Sequence, residues 1–340
     1  MFEIFNRKNR TIIFFIIACA FISSCASSIR SVKIEAPKEI ENSFKVQSIA
    51  SADVALVASV KVEPEVQVPL SSKSKKGAKV KAKEKKEPKK IVLIKKERLI
   101  NQPFVVGEKT QLALVYLGLK AADLFIEVNP FVTVNDQKAY DIFAGMQTSS
   151  VMNLVYKADD YMNSYIDFYD FVPIKQIINL NESKQNLKQI LSFDWKNKKS
   201  NLWRKRIDHK NNVTEINEQV ELLPGSFDVI SFIMYTRTLD FKIGSKYSFM
   251  VHENKRNWEV RLEAIREEII HTDAFGKINT IVIQPKSFLN GEQYTKAEMF
   301  IWLTNDPRKI LVKFSGKAKI GTLYGYITKY YSPLDPSPVK

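Results

Sequence analysis

From about Ile100 to Thr328 the apolar residues return at every second position, and this period of two commits the region to half-buried β-strands. Successive strand side chains point to opposite faces, so the alternation sets one face on a core and the other in water. Met299, Ile301 and Leu303 alternate with Phe300, Trp302 and Thr304. Asn305-Asp306-Pro307-Arg308 then supplies a turn, and Ile310, Val312 and Phe314 resume the apolar face. Proline fixes φ in a tight turn, so 297–317 reads as a hairpin. A second hairpin joins 247–252 to 258–265 through the polar run 253–257. Further strands are expected over 112–117, 121–128, 139–146, 151–157, 163–170, 187–195, 202–208, 278–284 and 320–328.

One stretch changes period. Val229, Ile230, Phe232, Ile233 and Thr236 fall at helical spacing, behind Pro224-Gly225 and the N-cap candidate Asp228, whose carboxylate can accept the orphan amides of a first turn. A helix is predicted over 228–239. More than about ten strands in one sheet must curl or close. The expected fold is mainly β: one large curved antiparallel sheet, barrel-like, with a single packed helix near 228–239. It occupies a globular domain over 99–330, followed by a tail over 331–340.

The first 24 residues read as a lipoprotein signal peptide. Arg7, Lys8 and Arg10 precede an apolar run from Thr11 to Ile22, about twelve residues where a bilayer span needs roughly twenty. Ile22-Ser23-Ser24-Cys25 has the order of a lipoprotein processing site, which makes Cys25 the expected lipid attachment residue. The competing reading is a secreted protein cleaved near Cys25-Ala26-Ser27. Cys19 falls in the signal, so Cys25 is the sole cysteine of the mature chain and disulfides are excluded. One acyl chain binds a bilayer marginally and two or more anchor it. Ala26 follows the cysteine; enteric-type sorting uses an Asp there to retain lipoproteins at the inner membrane, so the resemblance points to the outer membrane, facing the periplasm.

Residues 25–98 are expected to form a disordered tether. Ala, Val, Ser, Glu, Pro and Lys dominate, and such a composition buries too little apolar surface to offset the entropy of ordering. Between Lys73 and Arg98 stand twelve Lys, one Arg and three Glu, a net of +10; residues 99–340 carry only +4 of the chain's +15. The basicity therefore belongs to the tether. Lys without interleaved aromatics, behind an export signal, excludes nucleic acid as the expected partner. An anionic wall polymer or lipid headgroups would suit the run, and a solvated spacer is the alternative.

No catalytic, cofactor or metal site can be assigned. His209, His252 and His271 are scattered, and His271-Thr272-Asp273 is the closest approach to a ligand pair. No Gly-x-Ser-x-Gly elbow is present. Asp159, Asp160, Asp167 and Asp170 interleave with Tyr156, Tyr161, Tyr165, Tyr169 and Phe171, which could form a sugar-binding face or a strand pair with core aromatics. Trp195, Trp203, Trp258 and Trp302 read as packing.

Phe104-Val105-Val106-Gly107-Glu108 and Leu114-Val115-Tyr116-Leu117-Gly118-Leu119 resemble the opening of domain-of-unknown-function family 3108. The resemblance continues through Asp228 and its helix to Arg237, Phe275-Gly276, and the run from Ile301 to Asp306 with Val312-Lys313, spanning about 100–328. Leu311 stands where the family often shows Pro. The resemblance implies an exported β-rich fold and no mechanism. The expected role is that of a lipid-anchored envelope protein, not an enzyme, whose β domain binds a partner or an apolar ligand without cofactors. A structural spacer between outer membrane and cell wall is the alternative, and an unrecognised enzyme a more distant one.

Overall fold

A computed structural model describes residues 32–49, 102–294, 298–318 and 320–335. The expected signal segment 1–24, Cys25 and the run from Lys73 to Arg98 lie outside the described residues. The elements in order are α1 (Lys38–Asn42), β1 (Val46–Ser48), β2 (Lys109–Tyr116), β3 (Leu119–Val134), β4 (Gln137–Thr148), β5 (Asp159–Asp167), β6 (Pro173–Glu182), β7 (Gln185–Asp194) and β8 (Lys199–Asp208). There follow β9 (Val213–Glu221), α2 (Val229–Thr236), β10 (Lys246–Glu253), β11 (Arg256–Thr272), β12 (Gly276–Leu289), β13 (Glu292–Gln293), β14 (Met299–Thr304), β15 (Leu311–Lys317) and β16 (Thr322–Tyr331).

These strands make one antiparallel sheet in the order β10-β11-β12-β14-β15-β16-β2-β3-β4-β5-β6-β7-β8-β9, with β1 beside β3 and β13 beside β12. The path is a meander joined at its ends, since β16 pairs with β2 from Leu323↔Tyr116 to Tyr331↔Lys109. Two-residue hairpins turn with both residues at positive φ at Leu117-Gly118, Asn135-Asp136, Asn254-Lys255 and Asn290-Gly291, the geometry that matches strand twist. Bulges at Ala264/Arg266 and Asn129/Val132 add curvature.

The sheet is barrel-like but does not close. Its two edges, β9 and β10, are consecutive in the chain, and the connection carrying α2 separates them. Phe227 joins the β10 edge through a parallel bridge to Val251. Side chains span the remaining seam: Lys255 pairs with Glu218 at 2.7 Å, and Asn257 Nδ2 donates to the Glu221 carbonyl at 3.0 Å. The expected helix is α2, shorter than 228–239 because 237–239 turn away. Its buried face, Ile230, Met234 and Tyr235, joins the main core with Phe227, Phe249 and Trp258.

Three expectations are corrected. Residues 32–49, read as tether, instead hold α1 and β1 against the domain: Val46–Ser48 pair with Val134–Val132, and Ala36 packs on Ile190 and Trp203. Buried Lys175 fixes them by donating from Nζ to the carbonyls of Glu41, Ser43 and Phe44 at 3.1–3.3 Å. Low hydrophobicity argued for disorder, and a buried ammonium meeting three carbonyls overrides it. Residues 151–157 are no strand; Met152–Leu154 form a 3₁₀ turn with Leu154 84% exposed. Strands β6 and β9 were not anticipated.

Candidate ligand-binding site

The site is built around α2. Its N-cap, Asp228, is wholly buried; Oδ1 accepts from the Ser231 amide at 2.6 Å, and the Ser231 hydroxyl accepts from the Asp228 amide at 2.9 Å. This reciprocal cap is the arrangement a capping box provides. Oδ2 accepts from Ser164 Oγ of β5 at 2.5 Å, so the helix start is tied across the interior. Burial raises the Asp228 carboxyl above the usual range, against the hydrogen bonds from Ser164 and Ser231. At the other end Arg237 is buried and pairs with Glu108 at 2.5 Å.

Between α2 and the inner face of β10–β15 lies a half-open groove of about 130 Å³. That is close to the size of an engineered apolar cavity, about 150 Å³, that binds benzene. Val229, Phe232 and Ile233 line it from the helix. Trp258, Val260 and Leu262 of β11 face them, with Ile301 and Leu303 of β14 beyond. The period-two pattern sends 258, 260 and 262 inward together, and likewise 301 and 303. Polar groups at the wall are few. Arg237 is saturated by Glu108 and by the carbonyls of Pro103 and Arg308. Trp258 is buried and its indole N–H has no partner among the described residues. The groove suits an apolar molecule with, at most, one acceptor beside Trp258.

A polar cluster occupies the interior near the seam. Arg204 donates from Nε to Gln189 Oε1 at 2.8 Å and from Nη2 to Asn254 Oδ1 at 2.8 Å. Glu253 is buried beside the side-chain amide of Gln176. Burial pushes Glu253 up to about 8; Arg204 opposes this and Asp228 adds to it. Burial thus favours the neutral acid form of Glu253.

His252 forms a chain in the same cluster: Nδ1 to Asn257 Oδ1 at 2.8 Å, and Nε2 to Ser200 Oγ at 2.7 Å. Asn257 spends its amide N–H on Glu221, so its oxygen faces the imidazole. The proton then sits on Nδ1, and Nε2 accepts from Ser200. Nucleophile, base and orienting group would be arranged this way in a hydrolase. Here Ser200 and His252 are both wholly buried, neither lines the groove, and Phe193 covers the imidazole edge-on. The chain latches β8 to β10 and β11 across the seam.

The other sequence candidates are not brought together. His271 and Asp273 sit exposed at the β11–β12 turn, and among the described residues no group of three or more His, Cys, Asp or Glu is placed to hold a metal ion. The acidic and aromatic residues of 156–171 are divided between interior and surface: Asp160, Tyr165 and Phe171 are buried, Asp167 accepts from the amides of Tyr169 and Asp170, and Asp159, Tyr161, Tyr169 and Asp170 are exposed. Burial, then Glu182, pushes Asp160 up to about 8. Trp203, Trp258 and Trp302 are buried, as packing residues should be. Glu253, Gln176 and Gln189 escaped the sequence reading because no local pattern marks a polar side chain that turns inward.

Residues 111–328 match the family described as "Protein of unknown function (DUF3108)". No curated protein matches the chain. Among solved structures, the β-barrel-like protein of domain-of-unknown-function family DUF1849 from Brucella abortus is similar, with 10% identity, a TM-score of 0.42, and coverage of 67% of this chain and 98% of that one. A Parabacteroides distasonis protein, described provisionally as a lipoprotein, matches with 11% identity, TM-score 0.30 and coverage of 68% and 98%. A Bacteroides fragilis protein, described provisionally as exported with a YmcC-like fold, matches with 9% identity, TM-score 0.29 and the same coverage.

Proposed function

We propose a function from the premise that this chain belongs to the DUF3108 family: it is a non-catalytic binding module that takes an apolar ligand between α2 and β10–β15. The groove carries the reading. Burial of apolar surface is worth about 25 cal/mol per Å², so a site with an almost wholly aliphatic and aromatic wall favours a hydrocarbon over a polar metabolite. Titration with N-phenyl-1-naphthylamine tests it. The native protein should enhance the probe's fluorescence saturably, and Ile233→Arg should weaken binding at least tenfold while the melting temperature holds. Equal binding by that variant would remove the groove from the account. The Ser200–His252–Asn257 chain is the one feature that favours an enzyme, and labelling of Ser200 in native protein by a fluorophosphonate would establish that reading instead.

The module works at the cell envelope, held by an acylated Cys25 in the outer membrane, facing the periplasm. The order Ile22-Ser23-Ser24-Cys25 behind a short apolar run supports this. Cys25→Ser should leave the protein out of the membrane fraction with its fold intact; continued fractionation with membranes would refute the anchor. The run from Lys73 to Arg98, with its net +10, adheres to anionic wall polymer or lipid headgroups. Deletion of 73–98 should abolish low-salt retention on purified cell wall. Unchanged retention would leave the run a spacer.

A further inference from the structure

Three connections meet at one end of the sheet: the β2–β3 turn, the β4–β5 connection and the β15–β16 turn. Tyr116 Oη donates to the Ile320 carbonyl at 2.6 Å, and the Ser149 hydroxyl donates to the Lys120 carbonyl at 2.8 Å. The Ser149 amide also donates to the Ala121 carbonyl at 2.9 Å. These bonds gather Leu117, Leu119, Val151, Leu154, Val155 and Ile320, each more than half exposed. Turn tips are ordinarily polar. Leu117 even holds φ +50°, a conformation that Gly, Asn or Asp adopts at much lower cost. Leu117 lies over Gly321 of the β15–β16 turn, but none of the six joins the buried core, and the 3₁₀ turn presents Leu154 outward.

The turn segments themselves carry charge of one sign. Segments 116–120, 149–157 and 317–321 contain no Asp or Glu. Lys157 and Lys317 are exposed and make no ion pair among the described residues, and Lys120 is paired with Asp123 at 2.8 Å. Apolar tips ringed by lysine are what an anionic lipid surface accommodates, with the tips among acyl chains and the ammonium groups at headgroup level. We infer that this apolar, lysine-flanked end of the sheet seats on an anionic bilayer. The contact is separate from the groove and from any acyl chain on Cys25.

The test uses the full chain with an environment-sensitive fluorescent amino acid in place of Leu154, or in place of exposed Ile243, on the connection between α2 and β10, as control. Vesicles of phosphatidylglycerol and phosphatidylethanolamine carry acyl-brominated lipid. The probe at 154 should shift blue and be quenched while the probe at 243 stays aqueous, and phosphatidylcholine vesicles should weaken the effect. Lys157→Glu with Lys317→Glu should lower partitioning about tenfold or more. An aqueous signal at 154, or equal quenching at 243, overturns the inference. So does a blue shift without vesicles that grows with protein concentration, because a second copy would then cover the tips.

Discussion

Arg237, just past the end of α2, and Glu108, just before β2, form a buried ion pair at 2.5 Å whose residues lie 129 positions apart in the chain. Tyr330 Oη of β16 donates to the same carboxylate at 3.2 Å, and Arg237 also donates to the Pro103 and Arg308 carbonyls. One side chain thus ties the helix to the beginning of the domain and to the β14–β15 turn. Removing one partner of such a pair strands the other charge, at a cost of about 3–5 kcal/mol. Arg237→Met should lower the urea midpoint accordingly. Glu108→Gln in the same chain should recover part of the loss, and a single variant as stable as the native protein would contradict the account.

Glu253 predicts how stability depends on pH. Its carboxyl is raised to about 8 in the fold from an ordinary 4.5. Between those values the folded chain keeps a proton that the unfolded chain has released, so this group's contribution is full below pH 4.5 and is lost as pH rises through 8. Asp160, also raised to about 8, acts in the same direction. His252, lowered by burial, acts oppositely as pH falls below 6.5. The melting temperature should therefore decline from about pH 6.5 to pH 8 and level off above that, and Glu253→Gln should flatten the decline. A Glu253→Gln curve parallel to the native one would show that the acid is not the source.

Gly325 faces Phe314 across β15–β16. A Cβ at 325 would stand 2.0 Å from Phe314 Cε1, and that ring is fully buried. Gly325→Ala is expected to destabilise by at least about 1–3 kcal/mol, the usual cost of overpacking. Denaturation of Gly325→Ala with Phe314→Leu should show partial rescue. Additive losses would mean that the clash lies elsewhere.

Lys175 predicts a local release. Lys175→Met keeps the stem and deletes the ammonium that holds the carbonyls of Glu41, Ser43 and Phe44. Limited proteolysis should then cut within 32–49 many times faster than in the native chain, with the melting temperature of the remaining domain within a few degrees of native. Unchanged protection would mean that β1 pairing and the Ala36 contacts suffice.

The strands and α2 were legible because their signals are local. Trp258, Val260 and Leu262 alternate, and Asp228 precedes a helical period. Strand β9 was not, since it is an exposed edge on which Val213, Ile216 and Val220 keep no period of two. Strand β6 was hidden by Lys175 and Gln176, polar residues buried on opposite faces of the strand, the first beneath the carbonyls of residues 41–44. Residues 151–157 misled for the opposite reason: Val151, Leu154 and Val155 are apolar but exposed, and composition alone cannot distinguish a core strand from an outward-facing turn. The groove needed the fold itself, because its two walls come from α2 and from strands up to 80 residues later in the chain.

The docking of 32–49 also sets a load path. Val32 lies seven Cα–Cα steps after Cys25, which limits that distance to about 25 Å even when fully extended. A pull from that side enters the sheet at β3 through β1, and at β6 through the Lys175 grip. Residues 49 and 102 both lie on the domain side of this brace. The β2–β16 junction is spared peeling, and mechanical failure should begin with β1 slipping from Val132–Val134 while the sheet behind it stays whole.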